Sequence, residues 1–317
     1  MMKRSMTALS LAVAGAFVSS AAGAGTTTPD DQGGTVMVTD GSGREVEVPT
    51  NPQRVFGMYT TDLDYALALG LPVAPTQAIR TGSVGLPDFF DYEEVADLDF
   101  FVNFPEYNWE AIAAAEPDLI LNGLGYEGGP DLDLLDDIAP TYTFDGFGGD
   151  WREDFTAIAE VFGRAHEAES VLGAIDARTD ELRPLVEAHD GPLVMAYGYY
   201  EADASGGFYG PQLDQLQPVV FHDLGIETTA AATEPWSVVA QEQIGLLADC
   251  DIILLAVETS DRADALLDTV RADPVWSALP AVAEGRVFTV NNELSYSSPS
   301  AHLEFLDVLE DALLHLP

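Results

Sequence analysis

The sequence holds one cysteine and one lysine in 317 residues. A lone Cys250 excludes a disulfide framework and any CxxC zinc or redox site. Lysine is confined to Lys3, and lysine plus arginine total 12 against 54 aspartates and glutamates, a formal net charge of -42. So little positive charge argues against a nucleic-acid backbone or an anionic membrane surface as partner. The five histidines, His166, His189, His222, His302 and His315, form no close ligand pair, which argues against a three-histidine zinc or manganese centre. No G-x-S-x-G elbow, P-loop or HExxH is found, so the signatures of α/β-hydrolases, P-loop nucleotide hydrolases and zinc proteases are missing.

What is present describes a folded chain. Hydrophobic residues make up 47% of the sequence and charged residues 21%, a balance that excludes disorder despite the net charge. The length fits one large domain or two ordinary ones. Lys3 and Arg4 precede an apolar run from Met6 to Val18, and Ala22-Gly23-Ala24 offers small residues to a signal peptidase. Residues 1–24 therefore read as a secretory leader cleaved after Ala24, and 25–35 as a polar tether. The protein is expected to be extracytoplasmic: periplasmic, cell-surface or secreted. Ala24 or Gly25 stands where a lipid-anchored relative would carry cysteine, so direct lipidation is not supported. Without the leader, ten arginines and no lysine face the same 54 acids. Acids scattered along the whole chain suggest a surface suited to high salt, which screens self-repulsion.

Hydrophobic patterning predicts alternating strands and helices. Thr35–Thr39 and Arg44–Val48 flank Asp40-Gly41-Ser42-Gly43 as a β-hairpin. Strands are expected at 54–58, 73–75, 118–121 and 141–144, with helices at 61–69, 109–115 and 132–138. A single long helix is predicted over 151–189, with Pro184 as a kink or break near its end. Alternation then resumes: strands at 192–197, 251–257 and 285–290, helices at 211–224, 262–271 and 300–314. The expected fold is α/β: two Rossmann-like lobes, 36–150 and 190–317, joined by the helix 151–189, with a ligand cleft between them.

Five blocks narrow this further. They are Val48-Pro49-Thr50-Asn51-Pro52-Gln53-Arg54-Val55, the stretch Asn108-Trp109-Glu110 through Pro117-Asp118-Leu119-Ile120-Leu121, and Ile138-Ala139-Pro140-Thr141. Gln241-Glu242-Gln243-Ile244 and Asp273-Pro274-Val275-Trp276 through Gly285-Arg286-Val287 complete the set. In this order, from about residue 36 to the C-terminus, they resemble the periplasmic binding proteins of the siderophore, haem and cobalamin uptake class, which serve ABC transporters. The resemblance implies a non-enzymatic monomer with no cofactor of its own, which captures an iron(III)–siderophore complex and hands it to permease subunits. Haem or cobalamin as cargo stays open within the class; a secreted hydrolase or a sensor domain stays open outside it. The family also implies that one acid per lobe docks on permease arginines, here Glu110 and Glu242. Aromatics placed after strands are the expected lining for a large chelate: Tyr59, Trp151, Tyr199, Tyr200, Phe208, Tyr209, Trp236 and Tyr296. Glycines around Tyr199-Tyr200 and Phe208-Tyr209 would let backbone approach a ligand. Arg80, in a loop after the second strand, is the candidate donor to carboxylate or hydroxamate oxygens. No residue is expected to ligate a metal directly, and Cys250 is expected to be a buried small hydrophobe.

Overall fold

Alternation of Val46 and Val48 inside with Glu45 and Glu47 outside builds the first ladder of the computed structural model, which describes residues 34–80, 85–125, 129–146, 150–201, 207–210, 223–232, 237–257, 262–296 and 298–316. Strands β1 (Thr35–Thr39) and β2 (Glu45–Pro49) pair antiparallel as expected. Asp40 fixes the turn by accepting from the Ser42 and Arg44 backbone N–H groups at 3.0 and 2.9 Å, with Gly43 at φ 83°. Residues 1–24 and the tether up to Gly33 lie outside the described residues, and Thr35 already belongs to β1.

The N-terminal half continues with β3 (Val55–Gly57), α1 (Thr60–Ala68), β4 (Thr76–Arg80), β5 (Asp99–Phe104), α2 (Trp109–Ala114), β6 (Leu119–Asn122), α3 (Leu132–Asp136) and β7 (Thr141–Thr143). β6 lies between β3 and β7 in a parallel sheet, and β4 pairs parallel with β5. Val73 makes only an isolated bridge to Val55, so the strand expected at 73–75 begins instead at Thr76. Two backbone hydrogen bonds flank that bridge, from Val55 N–H to the Pro72 carbonyl at 2.9 Å and from Ala74 N–H to the Val55 carbonyl at 2.8 Å, and a side chain extends the join. Gln77, fully buried, accepts from the Gly57 N–H at 3.0 Å and donates to the Val55 and Ala74 carbonyls at 2.9 Å each. The Gln77 amide thus continues the pairing where the backbone ladder stops.

Two helices, α4 (Trp151–Val161) and α5 (Ala165–Glu187), replace the single helix expected over 151–189. Gly163, at φ 67°, ends α4 in the left-handed conformation that glycine enters at least cost. Pro184 is accommodated inside α5, which runs on to Glu187. The C-terminal half contains β8 (Val194–Glu201), β9 (Gly207–Gly210), β10 (Glu227–Thr228), β11 (Ser237–Val239), β12 (Ile252–Val257), α6 (Ala263–Ala272), α7 (Pro280–Ala283), β13 (Val287–Asn291) and α8 (Pro299–Leu313). The order β11-β9-β8-β12-β13 puts the unbroken apolar run Ile252–Val257 between two parallel neighbours, with every residue buried. The helix expected at 211–224 falls outside the described residues except for its last two positions.

One hydrophobic core runs from Tyr65 and Leu121 through Trp151, Phe155, Ile175 and Leu182 to Met195, Leu254 and Phe305. The connecting helices therefore belong to both halves. Arg178 on α5 clamps α8 by donating to Asp307 at 2.7 Å and Glu310 at 2.8 Å. Cys250, just before β12, is buried, and burial pushes its thiol up to about 12. Among the described residues, no helix is long and apolar enough to cross a membrane. Replacing Gln77 with leucine keeps the volume but strands the Gly57 N–H, so Q77L should lower unfolding free energy by about 2 kcal/mol. A urea midpoint unchanged from wild type would show that the β3–β4 join does not depend on that amide.

Candidate functional site

The C-terminal ends of β3, β4 and β13 converge on one seam between the halves. Loops and helix starts at such strand ends are where parallel sheets leave backbone and side chains free for ligands. From the first half come Tyr59 and Thr60, at the start of α1, and Arg80, the last residue of β4 rather than part of a loop. From the second half come Tyr199 on β8 and Asn292, Glu293 and Tyr296 after β13.

Arg80 and Glu293 form the centre of this seam. Arg80 Nε lies 2.9 Å from Glu293 Oε1, with side-chain exposures of 17% and 6%. The other carboxylate oxygen accepts from Thr60 Oγ1 at 2.7 Å. With the Asn292 amide oriented to match its neighbours, its oxygen accepts from Arg80 Nη1 and Nη2 at 2.9 and 2.8 Å and its nitrogen faces the Tyr199 hydroxyl. Tyr59 meets the Tyr296 ring edge-on at a centroid distance of 5.3 Å and Phe104 at 5.6 Å. Burial pushes the Glu293 carboxyl up, while the Thr60 hydroxyl and the Arg80 charge oppose that rise. Burial would lower Arg80, yet Glu293 beside it lifts the guanidinium above its ordinary range. The Tyr59 and Tyr296 hydroxyls are both raised, first by burial, and stay protonated.

The expected aromatics divide between this seam and the core. Tyr59, Tyr199 and Tyr296 meet there with Arg80. Trp151, at 2% exposure, instead packs on Tyr65, Phe155 and His302, the last at a centroid distance of 4.9 Å. Its place is the core, because the first turn of α4 faces inward. Tyr200 points to the opposite face of β8 from Tyr199 and meets Trp276 at 5.6 Å, beside a fully buried Phe208. Gly207 serves strand packing: a Cβ there would come within 2.8 Å of the Val239 carbonyl oxygen. The Tyr209 backbone pairs with Tyr199 and Val238, while Trp236 lies outside the described residues. Glu293, Asn292 and Thr60 carry no sequence signal beyond their positions after a strand.

Asp62 supports the seam from beneath. Its Oδ2 accepts from the Tyr59 and Gly123 backbone N–H groups, each at 3.1 Å, and burial pushes its carboxyl up to about 7. Gly123 and Gly125 open a G-x-G-x-x-G run, completed by Gly128, directly after β6. Close packing accounts for both: a Cβ on Gly123 would fall 2.4 Å from Asp62 Oδ1, and one on Gly125 would fall 2.5 Å from the Phe144 carbonyl oxygen. Asp64, two residues on, binds Ser300 and Tyr92 and so ties α1 to the start of α8.

Glu110 and Glu242 both stand exposed in the first turn of a helix, α2 and the 3-10 helix Gln241–Asp249 respectively. Among the described residues, neither enters an ion pair. Glu110 borders a groove of about 680 Å³ lined by Val102, Pro105, Glu106, Tyr107, Asn108 and Trp109. Asn108 caps α2 by accepting from the Ala111 N–H at 3.1 Å.

Comparison with known proteins matches residues 59–294 to the family described as periplasmic binding protein. The chain is 27% identical over 188 residues to the probable siderophore-binding lipoprotein YfiY of Bacillus subtilis, covering 57% of this chain and only 56% of that relative. It is 24% identical over 277 residues to the iron(3+)-hydroxamate-binding protein FhuD of Escherichia coli, covering 83% of this chain and 88% of that one. The solved structure of PiaA from Streptococcus pneumoniae in complex with ferrichrome superposes with a TM-score of 0.66 at 18% identity, over 89% of this chain and 99% of that one.

The Asp62 environment sets a pH dependence with a defined sign. Its carboxyl, raised from 3.8 to about 7 in the folded state, makes the folded chain hold a proton that the unfolded chain releases between those values. Stability from this group is thus lost as pH rises through that window and is level above it. Asp62→Asn keeps an acceptor for Tyr59 and Gly123 but cannot ionise. Its thermal midpoint, relative to wild type, should climb from pH 4 to 7 and then plateau; a constant difference would mean Asp62 is already ionised at pH 4.

Proposed function

Because the chain belongs to the periplasmic binding protein family, we propose that it captures a ferric siderophore at the seam between its halves and delivers it to an ABC-transporter permease. The observation that carries this reading is the convergence of Tyr59, Arg80, Tyr199 and Tyr296 at the strand ends of both halves. Aromatic edges and a guanidinium fork suit the oxygen-rich, partly apolar surface of an iron chelate. The siderophore-binding names of YfiY and FhuD, and the ferrichrome held by PiaA, support the same cargo class. In this reading the protein works outside the cytoplasm as a monomer, iron is cargo, and no covalent step is involved.

Ligand binding would bring the halves together by small adjustments. α4 and α5 share one core with both halves, which allows limited bending about the Gly163 break. Glu110 and Glu242 would then read out the closed state as two separated negative anchors for permease arginines. Such rim charges set encounter and register more than raw affinity.

Two experiments test the proposal. Intrinsic tryptophan fluorescence in high salt, titrated with ferrichrome, a ferric tris-catecholate, ferric citrate, haemin and cobalamin, should show saturable quenching by a ferric chelate near micromolar concentration or below, about 8 kcal/mol of binding. Saturation by haemin or cobalamin alone would move the cargo to that class, and five flat titrations of folded protein would sink the uptake reading. The double substitution Glu110→Arg and Glu242→Arg should abolish permease-dependent uptake while leaving the chelate titration midpoint in place. Undiminished uptake would remove both acids from docking.

A further inference from the structure

We propose that Glu293 makes the seam a charge filter, which admits uncharged or cationic ferric chelates and rejects anionic ones. The inference rests on the siderophore-binding reading and assigns its site a ligand charge class. A lone guanidinium in a cleft would attract anionic chelates. Here the guanidinium is already matched: Glu293 Oε1 sits 2.9 Å from Arg80 Nε inside the seam. Tyr59, Thr60, Tyr199, Asn292 and Tyr296 add hydrogen-bonding groups without formal charge, so the two charges among these seam residues cancel.

Glu293 is also held in place independently of Arg80. Its Oε2 accepts from Thr60 Oγ1 at 2.7 Å, and its backbone N–H donates to Asn291 Oδ1 at 2.8 Å. An anionic ligand that drew Arg80 away would therefore leave a fixed, buried carboxylate facing the ligand's own charge. Both the unpaired acid and the like-charge contact are costly where water is excluded. An uncharged chelate can accept from guanidinium N–H groups while the ion pair persists. The remainder of the chain, with a net charge of -42, opposes anions at longer range as well, but that field is screened by salt whereas the buried pair is not.

The test compares ferrichrome, an uncharged tris-hydroxamate, with a trianionic ferric tris-catecholate by fluorescence titration of the whole chain in high salt. Wild type should bind ferrichrome at least about a hundredfold more tightly than the trianion. Glu293→Gln should narrow that ratio by about tenfold or more, through tighter binding of the trianion. Thr60→Val loosens the carboxylate but keeps its charge, so it should narrow the ratio less than E293Q does, by about threefold. A trianion bound as weakly by E293Q as by wild type, or a wild type that prefers the trianion, overturns the filter while leaving the uptake reading intact. If E293Q does not fold, by circular dichroism, the wild-type preference alone decides. Folded wild type that binds none of the ferric chelates overturns the uptake reading, and the filter with it.

Discussion

A charged side chain removed from water has to be matched by an opposite charge or by hydrogen bonds, and the seam is organised around that requirement. Arg80 arrives from one half with its guanidinium mostly covered, and the second half supplies both partners, Glu293 for charge and Asn292 for the remaining fork. Everything near them follows from keeping that arrangement fixed. Thr60 holds the far carboxylate oxygen, Tyr199 holds the Asn292 amide, and Tyr59 and Tyr296 close the apolar side. The halves are thus connected by polar contacts at the cleft and by a shared apolar core behind it.

α1 shows what this arrangement demands of the backbone. Residues from Thr60 to Leu67 are all buried, including two aspartates. A helix with acids on buried faces is stable only if each carboxylate finds donors, and each does. Asp62 serves the backbone N–H groups of Tyr59 and Gly123, and Asp64 serves Ser300 and Tyr92. The first acid fixes the turn that presents Tyr59 to the seam. The second anchors α8, whose start lies just after the turn carrying Glu293. The helix is consequently a bracket between the cleft and the C-terminal helix.

Much of the fold was legible in the sequence because burial of a parallel strand leaves an unbroken apolar run. Ile252–Val257 is the clearest case, and the helix boundaries at Thr60–Ala68 and Trp109–Ala114 fall within a residue or so of expectation. Less visible were features set by tertiary contact. β4 was placed too early and β5 was missed because Gln77 and Asn103, both buried, break their apolar patterns with polar groups that only the fold satisfies. The interruption at Gly163 was overlooked since apolar spacing continued across it. At the seam, position after a strand picked out Tyr59, Tyr199 and Tyr296, which the fold brings together there, yet the same rule drew in Trp151 and Phe208, whose inward facing no spacing reveals. Glu293 was invisible for a different reason: among 54 acids, nothing local marks it as one of the few that are buried.

The solitary cysteine has a practical consequence. Cys250 is enclosed, and its thiol is held far from the reactive anionic form. The molecule therefore offers a silent background for maleimide chemistry. Cysteines introduced at exposed Val102, in the first half, and exposed Val238, in the second, would accept a spectroscopic pair without competition from within. Distances between such labels would give a ruler for how far the two sheets travel when cargo enters, in a protein whose native sequence needs no prior removal of thiols.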